Sequence, residues 1–140
     1  METTVAETAP FMPSLLKVAV AALTSFVLGG VWYGALFANA WQRQVGLSDE
    51  QLESADKVRT FGVSYVLTFI AAWVFAMFLG PQPAPAFAIG VGALAGLCWV
   101  GASFGINDLF ELRPFKLWAI NTGYHTLAFT LFGVVFGLWH

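Results

Sequence analysis

Charged and polar positions in this chain fall in a few short segments, and long apolar runs separate them. From Thr60 to Asn107 there are 48 residues without a charged side chain, and Pro81-Gln82-Pro83-Ala84-Pro85 lies near the middle of that run. A hydrocarbon core about 30 Å thick is crossed by roughly 20 helical residues, so this stretch is long enough for two crossings joined by a proline turn. The uncharged runs Val18 to Gln42 and Leu117 to His140 supply one crossing each. Runs of this length satisfy their own backbone hydrogen bonds as helices; barrel strands would be alternating segments of about ten residues. The pattern predicts an all-α, polytopic membrane domain spanning residues 1–140, with four transmembrane helices near 14–38, 60–80, 86–106 and 115–139.

Composition narrows the class further. With 59% hydrophobic and 10% charged residues, there are too few charges to coat a soluble domain of this size. The Lys and Arg residues also divide unevenly between the two sides that four crossings create. Arg43, Lys57, Arg59, Arg113 and Lys116 fall on one side, and Lys17 alone falls on the other. Because basic loops are retained in the cytoplasm, the expected topology has both charged loops cytoplasmic and both termini external, in a bacterial inner (cell) membrane. Glu2 and Glu7 then form a short acidic tail outside, and Lys17 snorkels outward. Ala38-Asn39-Ala40 resembles a signal-peptidase site, but the acidic start and the long apolar run before it argue for a retained span. Cys98 lies inside the third run and has no second cysteine to pair with.

Finer spacing gives expectations about packing. Ser48 and Gln51 have the spacing of a capping box, flanked by Leu47 and Leu52, so a short helix is expected to start at Asp49 and to carry Lys57 and Arg59 near its end. Small residues four apart let helix backbones approach closely in lipid. Such pairs occur at Gly30/Gly34, Gly92/Gly96, Gly101/Gly105 and Gly133/Gly137, and all are expected at helix contacts, with Gly90 adding to the glycine content of the third span. Gly29 to Phe37 also matches Gly96 to Phe104 at five of nine positions, Trp32 against Trp99 included. A true repeat at this spacing implies two tandem helical hairpins related by a pseudo-twofold axis along the membrane normal.

Candidate chemistry is confined to one region. The last run opens with Asn121, Thr122, Tyr124, His125 and Thr126 before turning apolar. Asn121 and His125 are four apart and share a helix face, which must point into the bundle because polar groups are costly in hydrocarbon. Tyr124 and His125, with Asn107 and Glu111 from the preceding loop, complete a candidate polar site near the cytoplasmic face; Ser103, Ser64, Tyr65 and Thr68 are candidate partners in depth. The role is either packing or a binding or proton-relay site around His125, a residue type whose unperturbed pKa lies near neutrality. Asp108 and Glu111 are expected to cap the last span or to pair with Arg113 or Lys116. The sequence holds no metal-ligand spacing, phosphate-binding loop or nucleophile with its base, so no metal, cofactor or catalytic residue is assigned and no enzyme is expected. A net charge of −2 gives no footprint for nucleic acid.

Two stretches resemble the bacterial family known as domain of unknown function 1761, which consists of small four-helix membrane proteins. One is Gly30-Val31-Trp32-Tyr33-Gly34-Ala35-Leu36-Phe37 with Trp41 downstream. The other is Asn107-Asp108-Leu109-Phe110-Glu111 through Leu117 and Ile120 to Asn121-Thr122-Gly123-Tyr124-His125. This chain has Ala35 where the family pattern has proline, so the kink a proline would impose is not encoded there. The resemblance implies the four-span layout, and it brings no established activity. The expectation is an integral membrane protein of unknown function. Two sharper alternatives are a small oligomeric transporter or channel with a polar site around His125, and an accessory subunit of a larger membrane complex. The expected partners are the lipid bilayer and a second copy or another membrane protein; any small-molecule ligand is unidentified.

Overall fold

A computed structural model describes residues 10–140; the acidic tail residues Glu2 and Glu7 lie outside the described residues. Four helices are long and apolar enough to cross a membrane, and two short ones join the first pair. In chain order they are α1 (Leu15–Leu36), α2 (Ala38–Val45), α3 (Asp49–Ser54), α4 (Lys57–Leu79), α5 (Pro85–Phe110) and α6 (Phe115–Leu138). The Pro81–Pro83 turn and Trp139 mark one end of the bundle, called here the proline end. The two connections rich in Lys and Arg mark the other, the basic end.

Local chemistry sets the boundaries. Ser14 accepts the backbone N–H of Lys17 at the start of α1, and Asp56 accepts that of Arg59 at the start of α4. Ser48 and Gln51 form the reciprocal capping box, with Asp49 and Glu50 in the first turn of α3. That helix stops at Ser54, however, so Lys57 and Arg59 open α4 instead of closing α3. The reason is the competing cap: extended backbone at Ala55 and Asp56 frees the Asp56 carboxylate to start a new helix. Pro114 precedes α6 without a side-chain cap. Glu111 pairs with Arg113 at 3.3 Å and makes no cap bond to α6.

The tightest packing is between α5 and α6. A Cβ placed on Gly92 would come within 2.2 Å of the Phe129 carbonyl oxygen, and one on Gly96 within 2.5 Å of the His125 carbonyl oxygen. From the α6 side, a Cβ on Gly133 would lie 2.2 Å from the Ala88 carbonyl oxygen, and one on Gly137 2.9 Å from Pro85 Cα. The same line continues where Gly101 faces Thr122 and Gly105 faces the Trp118 indole. Backbone therefore lies directly on backbone from Pro85 to Gly96 of α5 and from His125 to Gly137 of α6, the arrangement small residues permit in lipid.

A wide turn keeps that line straight. The interface positions of α5 are Ala88, Gly92, Gly96, Gly101 and Gly105, four apart except for the five-residue step from Gly96 to Gly101. In a regular α-helix, a step of five would rotate the next glycine about 140° off the face. Residues Ala95–Gly101 instead form a π-helical segment, which takes in one extra residue and returns Gly101 to α6. A second π segment, Gly30–Leu36, ends α1, with Phe37 N–H donating to the Trp32 carbonyl at 2.8 Å. The chain breaks at Phe37 and turns into α2 with alanine at position 35, so the redirection does not need the family proline.

The π segment Gly30–Leu36 lies within the first copy of the nine-residue match, and Ala95–Gly101 overlaps the second. The hairpins are nevertheless packed differently. A twofold would repeat the α1–α6 contact between α5 and α4, and those two helices scarcely touch except where Phe78 stands edge-on to Trp99 at 5.8 Å. Trp32 is half-buried against α6, whereas Trp99 is 62% exposed. The helices instead form a row, α4–α1–α6–α5, closed at the proline end by Val18, Ala21, Ala72, Phe75, Ala76, Ala95, Phe132 and Phe136. Toward the basic end α4 touches α1 alone, through the edge-on contacts of Phe61 and Tyr65 with Phe26, and Val58 in its first turn is 86% exposed.

The glycine expectation is corrected at α1. Gly30 and Gly34 are exposed, and a Cβ added at either would meet no atom within 4 Å, as is also true of Gly90 on α5. Four-residue spacing fixes a shared face but not its direction. Gly96→Ala and Gly133→Ala are each expected to destabilise the bundle by roughly 1–3 kcal/mol, the usual penalty for overpacking, whereas Gly34→Ala changes little. Thermal midpoints in detergent measure this, and equal midpoints for Gly96→Ala and Gly34→Ala would remove the α5–α6 contact from its central place.

Candidate functional site

Polar side chains gather between α1 and α6, on the basic-end side of the apolar core. On α6, Ile120, Asn121 and Tyr124 lie toward α1, being one and three or four residues apart on a 3.6-residue helix. Each finds a partner there. The Trp32 indole N–H donates to the Ile120 carbonyl at 2.9 Å, and the Tyr33 hydroxyl donates to Asn121 Oδ1 at 2.8 Å. The Tyr124 hydroxyl lies 3.0 Å from Ser25 Oγ and donates to the Ser25 carbonyl at 3.1 Å. Ser25 is 1% exposed, so without Tyr124 its hydroxyl would have only its own helix to turn to.

Aromatic rings enclose these bonds. Tyr33 stands edge-on to Tyr124 at 5.2 Å and to Trp41 of α2 at 6.0 Å, and Trp32 lies against Phe37 at 4.7 Å. The π segment of α1 contributes Trp32 and Tyr33 at adjacent positions, and both reach α6. Gly123 makes room for the first: a Cβ there would come within 2.8 Å of Trp32 Cζ2. On the opposite flank of α6, the Trp118 indole donates to the Gly101 carbonyl at 2.8 Å, inside the π segment of α5. Each π segment thus takes part in one indole-to-carbonyl bond with α6.

The expected site residues separate into two groups. Asn121 and Tyr124 belong to the seam with α1. His125 does not: its ring stacks on Phe104 at 5.2 Å and meets Tyr124 edge-on at 4.9 Å. It makes no hydrogen bond among the described residues, because the one-residue step from Tyr124 turns it about 100° away from α1. Asn107 and Glu111 are exposed on the far side of α5 and its loop, and contribute only to local backbone and ion-pair contacts. Ser64, Thr68 and Ser103 do not serve as partners either; Thr68 and Ser103 hydroxyls donate to carbonyls four residues back in their own helices. Tyr65 bonds the Ala19 carbonyl of α1 at 3.1 Å. The seam's own partners, Ser25, Trp32 and Tyr33, come from α1. One signal for Trp32 and Tyr33 was present, since the two stretches that carry the family resemblance are the two sides of their contact; Ser25 lies outside both.

What the arrangement can do chemically is limited by the groups it brings together. Hydroxyl, amide and indole groups meet one another directly, with no grouping of three or more His, Cys, Asp or Glu side chains among the described residues that could hold a metal ion. Thr122, 3% exposed, keeps an unbonded hydroxyl beside Gly101, while Thr126 and Thr130 satisfy theirs on carbonyls of α6.

The chain belongs to the family described as Protein of unknown function (DUF1761), which matches residues 16–137. No curated protein and no solved structure matches it. The matched range takes in both sides of the seam.

Removing one hydroxyl at a time tests the seam. Tyr33→Phe and Asn121→Leu should couple by about 0.6 kcal/mol in a double-mutant cycle, the average for hydrogen bonds between membrane helices. Tyr124→Phe should cost about 1–3 kcal/mol if Ser25 is left without a partner. Additive effects of Tyr33→Phe and Asn121→Leu on unfolding in detergent would show the pair to be independent.

Proposed function

We propose that this chain is a non-enzymatic multi-pass protein of the bacterial inner membrane that works as an accessory subunit, a packed partner for other membrane helices and not a conduit. The observation that carries this reading is the filled interior at the proline end. Val18, Ala21, Ala72, Phe75, Ala76, Ala95, Phe132 and Phe136, drawn from all four long helices, are each no more than 7% exposed. A path from Asn121 or His125 toward that end would run into this apolar plug. Gly30 and Gly34 on α1, open to the surroundings, fit the accessory role because they offer another helix, in a second copy or in a different protein, the close approach that small residues allow.

The distribution of charge supports an orientation with the basic end in the cytoplasm and the proline end outside. Arg43, Lys57, Arg59, Arg113 and Lys116 lie at the first, and Lys17 at the second. Cysteine introduced at Gln82 should react with an impermeant reagent on intact cells and cysteine at Glu50 should not; the reverse pattern would invert the topology. The accessory role is tested in sealed proteoliposomes under an imposed proton gradient. Leakage should match protein-free vesicles. Faster leakage that His125→Gln abolishes would overturn it in favour of a proton pathway.

A further inference from the structure

At the proline end, away from the polar seam, the residues preceding α1, the Pro81–Pro83 turn and the end of α6 line an open cavity of about 230 Å³. Its wall is apolar at Phe11, Met12 and Phe136 and polar at Lys17 and Gln82. Lys17 Nζ donates to the Trp139 carbonyl at 2.8 Å and sits 5.9 Å from the centroid of the Trp139 ring. An ammonium carries three N–H donors, so two remain. Among the described residues no carboxylate lies within ion-pair reach of Lys17; the pair present, Glu111–Arg113, is at the basic end.

Two features make this more than a surface lysine. Lys17 is the one Lys or Arg at its end of the bundle, where it shares the pocket wall with His140. Gln82 holds a left-handed backbone, φ 50°, a conformation that is costly for a residue other than glycine and that tends to mark binding sites. The cavity also lies where the long helices end, at the level at which Trp residues and lipid headgroups meet.

We propose that this cavity seats the phosphodiester headgroup of an anionic phospholipid, with Lys17 supplying the counter-charge. At roughly 30 Å³ per water, the space admits a phosphate and the carbons beside it but not a whole lipid. The acyl chains therefore stay in the bilayer beside the exposed Phe11 and Met12. The inference rests on the membrane reading of the four helices and is independent of the accessory role.

Native mass spectrometry of the full chain tests it, with phosphatidylglycerol, phosphatidylcholine or inorganic phosphate added to detergent-purified protein. One phosphatidylglycerol should be retained, phosphatidylcholine much less, and inorganic phosphate not at all. Lys17→Gln should weaken retention about fivefold, the effect of one basic residue near an anionic surface, and Lys17→Arg should keep it. Met12 is 64% exposed, so Met12→Glu places a carboxylate at the cavity without disturbing the core and should abolish retention even if Lys17→Gln fails to fold. Undiminished phosphatidylglycerol retention by Met12→Glu or by folded Lys17→Gln would overturn the site, as would equal retention of the two lipids. Binding of inorganic phosphate without lipid would overturn the headgroup assignment.

Discussion

Backbone-to-backbone contact between α5 and α6 is the constraint on which the rest of the bundle depends. In lipid there is no hydrophobic gain from bringing two apolar helices together, so cohesion must come from dispersion at short range and from hydrogen bonds. Glycine at 92, 96, 133 and 137 permits the approach. Once α6 is seated on α5, its opposite flank presents Ile120, Asn121 and Tyr124 to α1, and the polar seam forms there. The seam is thus a second layer, specific where the first is merely close.

The two layers divide the work along the membrane normal. Near the proline end, interdigitated Phe and Ala side chains from all four long helices fill the interior. Toward the basic end α1 and α6 rely on directional bonds from tyrosine, serine, asparagine and tryptophan, and α4 is held to α1 alone, by Tyr65 and Phe61. A bundle held this way is tight at one end and open on one side at the other.

Much of the fold was legible because apolar run length translates directly into helix number, and the capping box at Ser48 into a helix start. The extent of α3 was not, since the Asp56 cap lies outside that box. Glycine pairs were legible as faces but not as directions: Gly92/Gly96 and Gly30/Gly34 have the same spacing and opposite surroundings. The π turn in α5 did leave a trace in the five-residue step between Gly96 and Gly101, which a search for four-residue pairs passes over. The seam was half legible. Polar residues early in α6 marked one side, but Ser25, Trp32 and Tyr33 sit in an apolar run some 90 residues away, and only three-dimensional pairing joins them. His125 drew notice as the lone ionisable group in a span, while its neighbour Tyr124 makes the bonds.

The π turn of α5 has a consequence for chain length. A regular helix locked against a neighbour tolerates substitution but not insertion, because one added residue turns everything beyond it out of register. In α5 the extra residue between Gly96 and Gly101 is absorbed by the wider turn, and the helix emerges in phase on both sides. Homologous chains one residue shorter in this segment would keep the same contacts with a plain α-helix. Two lengths of α5 are therefore compatible with a single bundle, and an alignment gap at this point would mark a change of helical pitch without any change of fold.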